Sequence, residues 1–175
     1  SRRPDVLTFE TDVLDEDLTL AGPVIANLKV SISGTDADFV VKVIDVFPDN
    51  FQYSEANSSP TGRSGVASYP MNGYQMLVRG EIMRGKFRNS FTTPEPFKPN
   101  KIETVEFALP DVAHTFKKGH RLMIQVQSSW FPLADRNPQQ FMNIYEAKPE
   151  DFKKATIKIY HDGSNSSSVS LPIMR

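Results

Sequence analysis

Ser64 is the residue that most resembles a nucleophile. It stands in Gly62-Arg63-Ser64-Gly65-Val66, which offers the first glycine of a G-x-S-x-G elbow but has Val66 where the last glycine belongs. The segment is rich in Ser, Gly, Pro and Asn and no helical pattern follows it, so the sharp strand-to-helix turn that would expose a serine has no support. The three histidines, His114, His120 and His161, fall in turn or strand-edge contexts far from it in sequence. No nucleophile–base–acid constellation emerges, and a self-contained enzyme is the weakest reading.

Metal chemistry has as little to work with. The chain has no cysteine, which excludes disulfides, thiolate zinc sites and cysteine nucleophiles. Asp12, Asp15, Glu16 and Asp17 in "DVLDED" are oxygen donors that calcium could accept, yet EF-hand spacing is absent. A solvated acidic turn that blunts a sheet edge is the simpler expectation. No cofactor is implied. Basic residues in "RGEIMRGKFR" (Arg79, Arg84, Lys86 and Arg88) could track a nucleic-acid backbone. With a formal net charge of −1 they read instead as the wet face of a strand, and no nucleic-acid partner is expected.

The densest concentration of unusual residues is "SSWFPLADRNPQ", residues 128–139. It holds the chain's one tryptophan, Trp130, beside Phe131, two prolines and the triplet Asp135-Arg136-Asn137. Apolar bulk and fixed polarity in one long loop suggest a surface built to meet something. Tyr69, Met71 and Tyr74, in "SYPMNGYQ", are candidates for the same surface. Exposed aromatics on a β-sandwich also stack on sugars, so a stand-alone carbohydrate-binding module is the alternative, with Trp130, Tyr69 and Tyr74 as its platform.

The elements that must position these residues are strands. Apolar residues alternate in "NLKVSIS" (Leu28, Val30, Ile32), "TVEFAL" (Val105, Phe107, Leu109), "RLMIQVQ" (Leu122, Ile124, Val126), "TIKIY" (Ile157, Ile159) and "SVSLPI" (Val169, Leu171, Ile173). In "RLMIQVQ" this turns Arg121, Gln125 and Gln127 outward. Residues 39–47, "FVVKVIDVF", are apolar on both faces apart from Lys42 and Asp45, which predicts a central strand covered on both sides. Gly80 interrupts "GYQMLVRGEIM" and marks a bulge or a close approach. Turn signals fall at Ala21-Gly22-Pro23, Pro48-Asp49-Asn50, Lys118-Gly119 and Asp162-Gly163. Helical periodicity is confined to one short turn near Pro149. Two segments break the strand pattern, residues 51–72 and 130–140. The 175 residues therefore predict one all-β domain, a jelly-roll β-sandwich of the galactose-binding-like kind with little helix. No run of about 18 apolar residues is present, so neither a membrane-spanning helix nor a membrane partner is expected. The start, "SRRPDVLTFE", lacks Met and already enters a strand, as in a piece excised from something longer.

In combination, "SRRPDVLTFET", "LAGPVIANLKVSISGTDADFVVKVIDVFPD", "MNGYQMLVRGEIMRGKFR", "FKKGHRLMIQVQSSWFPLADRNPQ" and "SVSLPIM" carry a family resemblance. The chain resembles, over essentially its whole length, the C-terminal non-catalytic domain of the Xaa-Pro dipeptidyl-peptidase family. That family includes α-amino acid ester hydrolases, cocaine esterase and glutaryl-acylase-like enzymes, and the wording is closest to the α-amino acid ester hydrolase branch. The resemblance implies a parent with an α/β-hydrolase domain that carries the Ser-His-Asp triad and precedes this sequence, so no triad residue falls here. It implies that the jelly roll packs on that domain and helps wall a pocket for a small acyl ester, amide or peptide. Trp130 and Phe131 would supply the wall, with Asp135, Arg136 and Asn137 fixing the loop and Arg136 facing a carboxylate. The same resemblance leads to the expectation of an exported parent. Cut from its partner domain, the fragment is expected to self-associate weakly.

Overall fold

The computed structural model describes residues 3–51 and 71–174. The described residues form eight strands: β1 (Val6–Glu10), β2 (Leu18–Ile32), β3 (Asp38–Val46), β4 (Gln75–Arg84), β5 (Glu103–Phe116), β6 (Arg121–Gln127), β7 (Ile157–Tyr160) and β8 (Ser168–Ser170). One antiparallel sheet runs β1-β6-β3-β4. The other runs β5-β2-β7, with β8 pairing further along the same edge of β2. Among the described residues the helical content is four single 3₁₀ turns, one of them the expected turn at Pro149–Asp151.

The two sheets close on a shared core. Leu20, Val24, Ala26, Leu28, Val30 and Ile32 of β2 meet Phe39, Val41 and Val43 of β3, with Val105, Phe107 and Leu109 of β5 and Leu122 and Val126 of β6. The alternation read from the sequence is what places them there. Ile173 is the exception: it bridges to Leu20 through its backbone while its side chain stays exposed.

The outer faces of the two sheets differ. Residues between the core positions of β5 are exposed, as on an ordinary half-wet sheet. On β3, Val40 and Ile44 point away from the core and are nonetheless buried, as is Met123, paired with Ile44 on β6. Residues 39–47 thus lie in a strand covered on both faces, as their two-sided composition requires. The same covering corrects the reading of β6: Gln125 and Gln127 do face out of the core, but both are buried.

A second correction concerns Ala21-Gly22-Pro23. The chain does not turn there; β2 runs through it with a bulge, Gly22 pairing with Val112 and Val24 with Leu109. Pro23 falls opposite Pro110-Asp111, so both strands carry a residue with no N–H at the one place where the ladder skips. Gly22 takes φ +125° and packs beside Pro172, which lets the strand continue.

Candidate functional site

The segment 128–152 follows β6 and is tied to the covered face of the β1-β6-β3-β4 sheet. Trp130 makes the first attachment. Its ring lies directly over Gly80 of β4, where a Cβ would come within 2.7 Å of Cη2. Gly80 pairs with Lys42 of β3, whose ammonium sits 4.5 Å from the centre of the Trp130 ring. Burial pushes the Lys42 ammonium below its ordinary pKa, and the charge of Arg3 adds to the effect. The glycine is therefore both of the things the sequence suggested: a bulge lies next to it, between Arg79 and Leu77, and an indole lies against it.

The second attachment is polar and buried. Asn137 donates from Nδ2 to Asp36 Oδ2 at 3.1 Å and to Asp38 Oδ1 at 2.8 Å, while its Oδ1 accepts from the Gln139 backbone N–H at 2.8 Å. Asp36 also accepts from the backbone N–H groups of Ala37 and Lys86, both at 2.9 Å. Asp38 receives the Arg84 guanidinium at 3.1 and 3.2 Å, and Arg84 Nη2 reaches on to the Asp135 carbonyl at 3.1 Å. Lys86 Nζ donates to the Met142 carbonyl at 2.8 Å. Thr35 completes the seam: its N–H donates to the Gln139 carbonyl and its hydroxyl accepts from Phe141 N–H. Burial lifts the Asp36 carboxyl above the usual carboxylate range; the Asn137 amide opposes that shift and the neighbouring charge of Asp38 adds to it.

Between the two attachments the loop turns its apolar residues outward. Phe131 is 65% exposed and Leu133 71%, with a cis peptide bond between Phe131 and Pro132 and a hydrogen bond from Ala134 N–H back to the Trp130 carbonyl at 3.0 Å. Farther along, Tyr145 is 85% exposed. Arg136 is exposed with its guanidinium 5.3 Å from the Phe152 ring. Asp135 takes part through its backbone carbonyl rather than its side chain.

The other expected members of the site are elsewhere. Tyr74 stands just before β4, its ring 6.1 Å from that of Phe47, at the end of the sandwich where Phe47 stacks on His120. Lys42 and Phe47 are five residues apart along β3, roughly 17 Å in a strand, so Tyr74 and the half-buried Met71 do not join Trp130. Tyr69 and the Gly62-Arg63-Ser64-Gly65-Val66 stretch lie outside the described residues.

Sequence reasoning also missed two clusters. Asp45, on the core side of β3, is buried with His114 Nε2 at 2.9 Å from one carboxylate oxygen and His120 Nδ1 at 2.7 Å from the other. It links both sheets and the turn before β6. Nothing in the spacing of the three residues announces this. The basic run of β4 is not a wet face either. Lys86 and the Arg88 side chain are buried, and Arg88 spans the Gly85, Glu95 and Pro96 carbonyls and the Glu103 carboxylate, with its guanidinium 4.0 Å from the Phe97 ring centre.

The arrangement so described is a rigid apolar ridge on a pinned loop, with no nucleophile–base pair beside it among the described residues. Residues 1–170 match the family described as the X-Pro dipeptidyl-peptidase C-terminal non-catalytic domain. The chain belongs to that family. Among solved structures, this chain is similar to an α-amino acid ester hydrolase, at 46% identity and a TM-score of 0.85, over 98% of this chain and 26% of that one. An aminopeptidase from a marine sediment archaeon, Thaumarchaeota archaeon, gives 41% identity and a TM-score of 0.86 over 100% of this chain and 27% of that one. A cocaine esterase from Rhodococcus sp. (strain MB1 Bresler) is 30% identical over 99% of this chain and 26% of its own length. The chain thus spans about a quarter of the length of these relatives.

Proposed function

We propose that this chain is the non-catalytic C-terminal part, read as a jelly roll, of a serine hydrolase acting on acyl esters, amides or Xaa-Pro peptides. Its work is to pack on an α/β-hydrolase domain and to form part of the wall of that domain's substrate pocket. The observation that carries the reading is the ridge of Phe131 and Leu133, two large apolar side chains turned to the outside on a loop anchored at both ends. Apolar side chains displayed on a fixed backbone suit a contact surface, because little freedom is left to lose on docking. The relatives, a cocaine esterase, an aminopeptidase and an α-amino acid ester hydrolase, set the range of substrates proposed.

The test is to express the hydrolase part and this chain as two separate polypeptides and to ask whether they copurify. The reading expects a stable complex that Phe131→Ser with Leu133→Ser weakens at least tenfold, since each exposed apolar side chain that becomes buried contributes about 1.5–3 kcal/mol. Equal binding by the parent and the double variant would contradict it.

A further inference from the structure

We propose that Asn137 is a positioning residue: by bridging the buried carboxylates of Asp36 and Asp38, it sets the orientation in which Phe131 and Leu133 are presented. The functional half of this inference rests on the reading of that ridge as a docking surface.

The bridge sits at the right place in the chain. Six residues separate Asn137 from Phe131, and the covalent path between them has one other polar tie to the sheet, from Arg84 to the Asp135 carbonyl. Arg84 itself is oriented by Asp38, one of the two carboxylates that Asn137 joins, so both ties share one acceptor. Asn137 is also chemically suited to the task. One amide nitrogen supplies a donor to each of two carboxylates, and a neutral donor satisfies both without adding a charge to a buried cluster. Its carbonyl oxygen meanwhile turns the chain through Gln139 N–H, and Gln139 is held at φ +66°. The site tolerates no slack on its far side: a Cβ on Gly34 would lie 2.2 Å from the Gln139 carbonyl oxygen. If Asn137 is lost, Asp36 and Asp38 face each other with no donor between them. The segment 131–136 then keeps Trp130 and the Arg84 tie to the Asp135 carbonyl but loses the side-chain anchor at its C-terminal end, and the ridge is freer to change direction.

Positioning is read from amide exchange in this chain. The Asn137→Ala variant is expected to speed exchange at Ala134, whose N–H closes the loop on Trp130, by about tenfold, the factor for one lost buried hydrogen bond, while amides of β3 and β6 exchange as before. Asn137→Asp, which keeps the acceptor for Gln139 but loses the donor, should act in the same direction. Unchanged exchange at Ala134 in both variants overturns the proposal. So does uniformly faster exchange through β3 and β6, which would make Asn137 a residue of general stability. The functional half is read in the longer hydrolase with a p-nitrophenyl ester. Asn137→Ala should raise KM with kcat little changed, and adding it to Phe131→Ala with Leu133→Ala should cause no further rise. Full additivity contradicts a route through the ridge. If the ridge variant alone leaves KM unchanged, the docking reading fails, and the exchange result still decides whether Asn137 positions the loop.

Discussion

Trp130 and Gly80 are a pair in which each residue explains the other. An indole packed this closely against a sheet needs a position with no side chain beneath it, and β4 supplies one opposite Lys42. Gly80→Ala should therefore cost about 1–3 kcal/mol in urea unfolding, the range for overpacking a filled contact, and should shift the emission of the single tryptophan. Asp36 allows a second prediction. Burial holds its carboxyl above the ordinary value of 3.8, so the folded chain keeps a proton that the unfolded chain has already released. The contribution of this group is fully present below about that value and is lost as pH rises through the higher folded one. Carbon-detected NMR of the Asp36 carboxyl should show a midpoint above the usual carboxylate range, and Asn137→Ala, which removes a hydrogen bond favouring the charged form, should raise it further. A midpoint at or below the ordinary value would contradict the description of the cluster.

At the scale of the elements, one guanidinium gathers much of the connection between β4 and β5. Arg88 is buried on Phe97 and serves three backbone carbonyls and Glu103. Arg88→Ala leaves Glu103 without its cation, and a loss of about 3 kcal/mol is expected by chemical denaturation. A change below about 0.5 kcal/mol would mean that the clamp is idle. The strands themselves were legible from alternation, because a half-buried strand has no other way to place its apolar residues. What alternation could not convey is the state of the second face. Gln125 and Gln127 look solvent-facing by pattern and are buried, because alternation carries no information on what packs over the outer face of a sheet. Gly22-Pro23 looks like a turn by composition and is a bulge, because Pro110 on the partner strand removes the same hydrogen bond. The loop 128–139 was legible as a surface of consequence from its residue types. The roles within it were not: Asn137 lies about a hundred residues from Asp36 and Asp38, and only the fold brings them together.

For the whole molecule the governing feature is asymmetry. The central strands β3 and β6 of one sheet are buried on both faces, β5 of the other sheet has an ordinary solvated outer face, and the pinned loop belongs to the covered side. The ridge of Phe131 and Leu133 is joined in the same segment by Tyr145, so this side displays apolar surface beyond what a self-sufficient domain needs. Sedimentation velocity should accordingly detect weak, concentration-dependent self-association of the chain, relieved by Phe131→Ser with Leu133→Ser; a strictly monomeric protein at high concentration would count against it. The central claim is that this domain works inside a hydrolase, and the most direct test is made on the native protein. An antibody against the chain should be used to recover it from its source cells after labelling with a fluorophosphonate, which marks active serine hydrolases. The account predicts a single labelled species close to four times the 19.7 kDa of this chain, as expected from relatives of which it spans 26%. An unlabelled species of 19.7 kDa would contradict it.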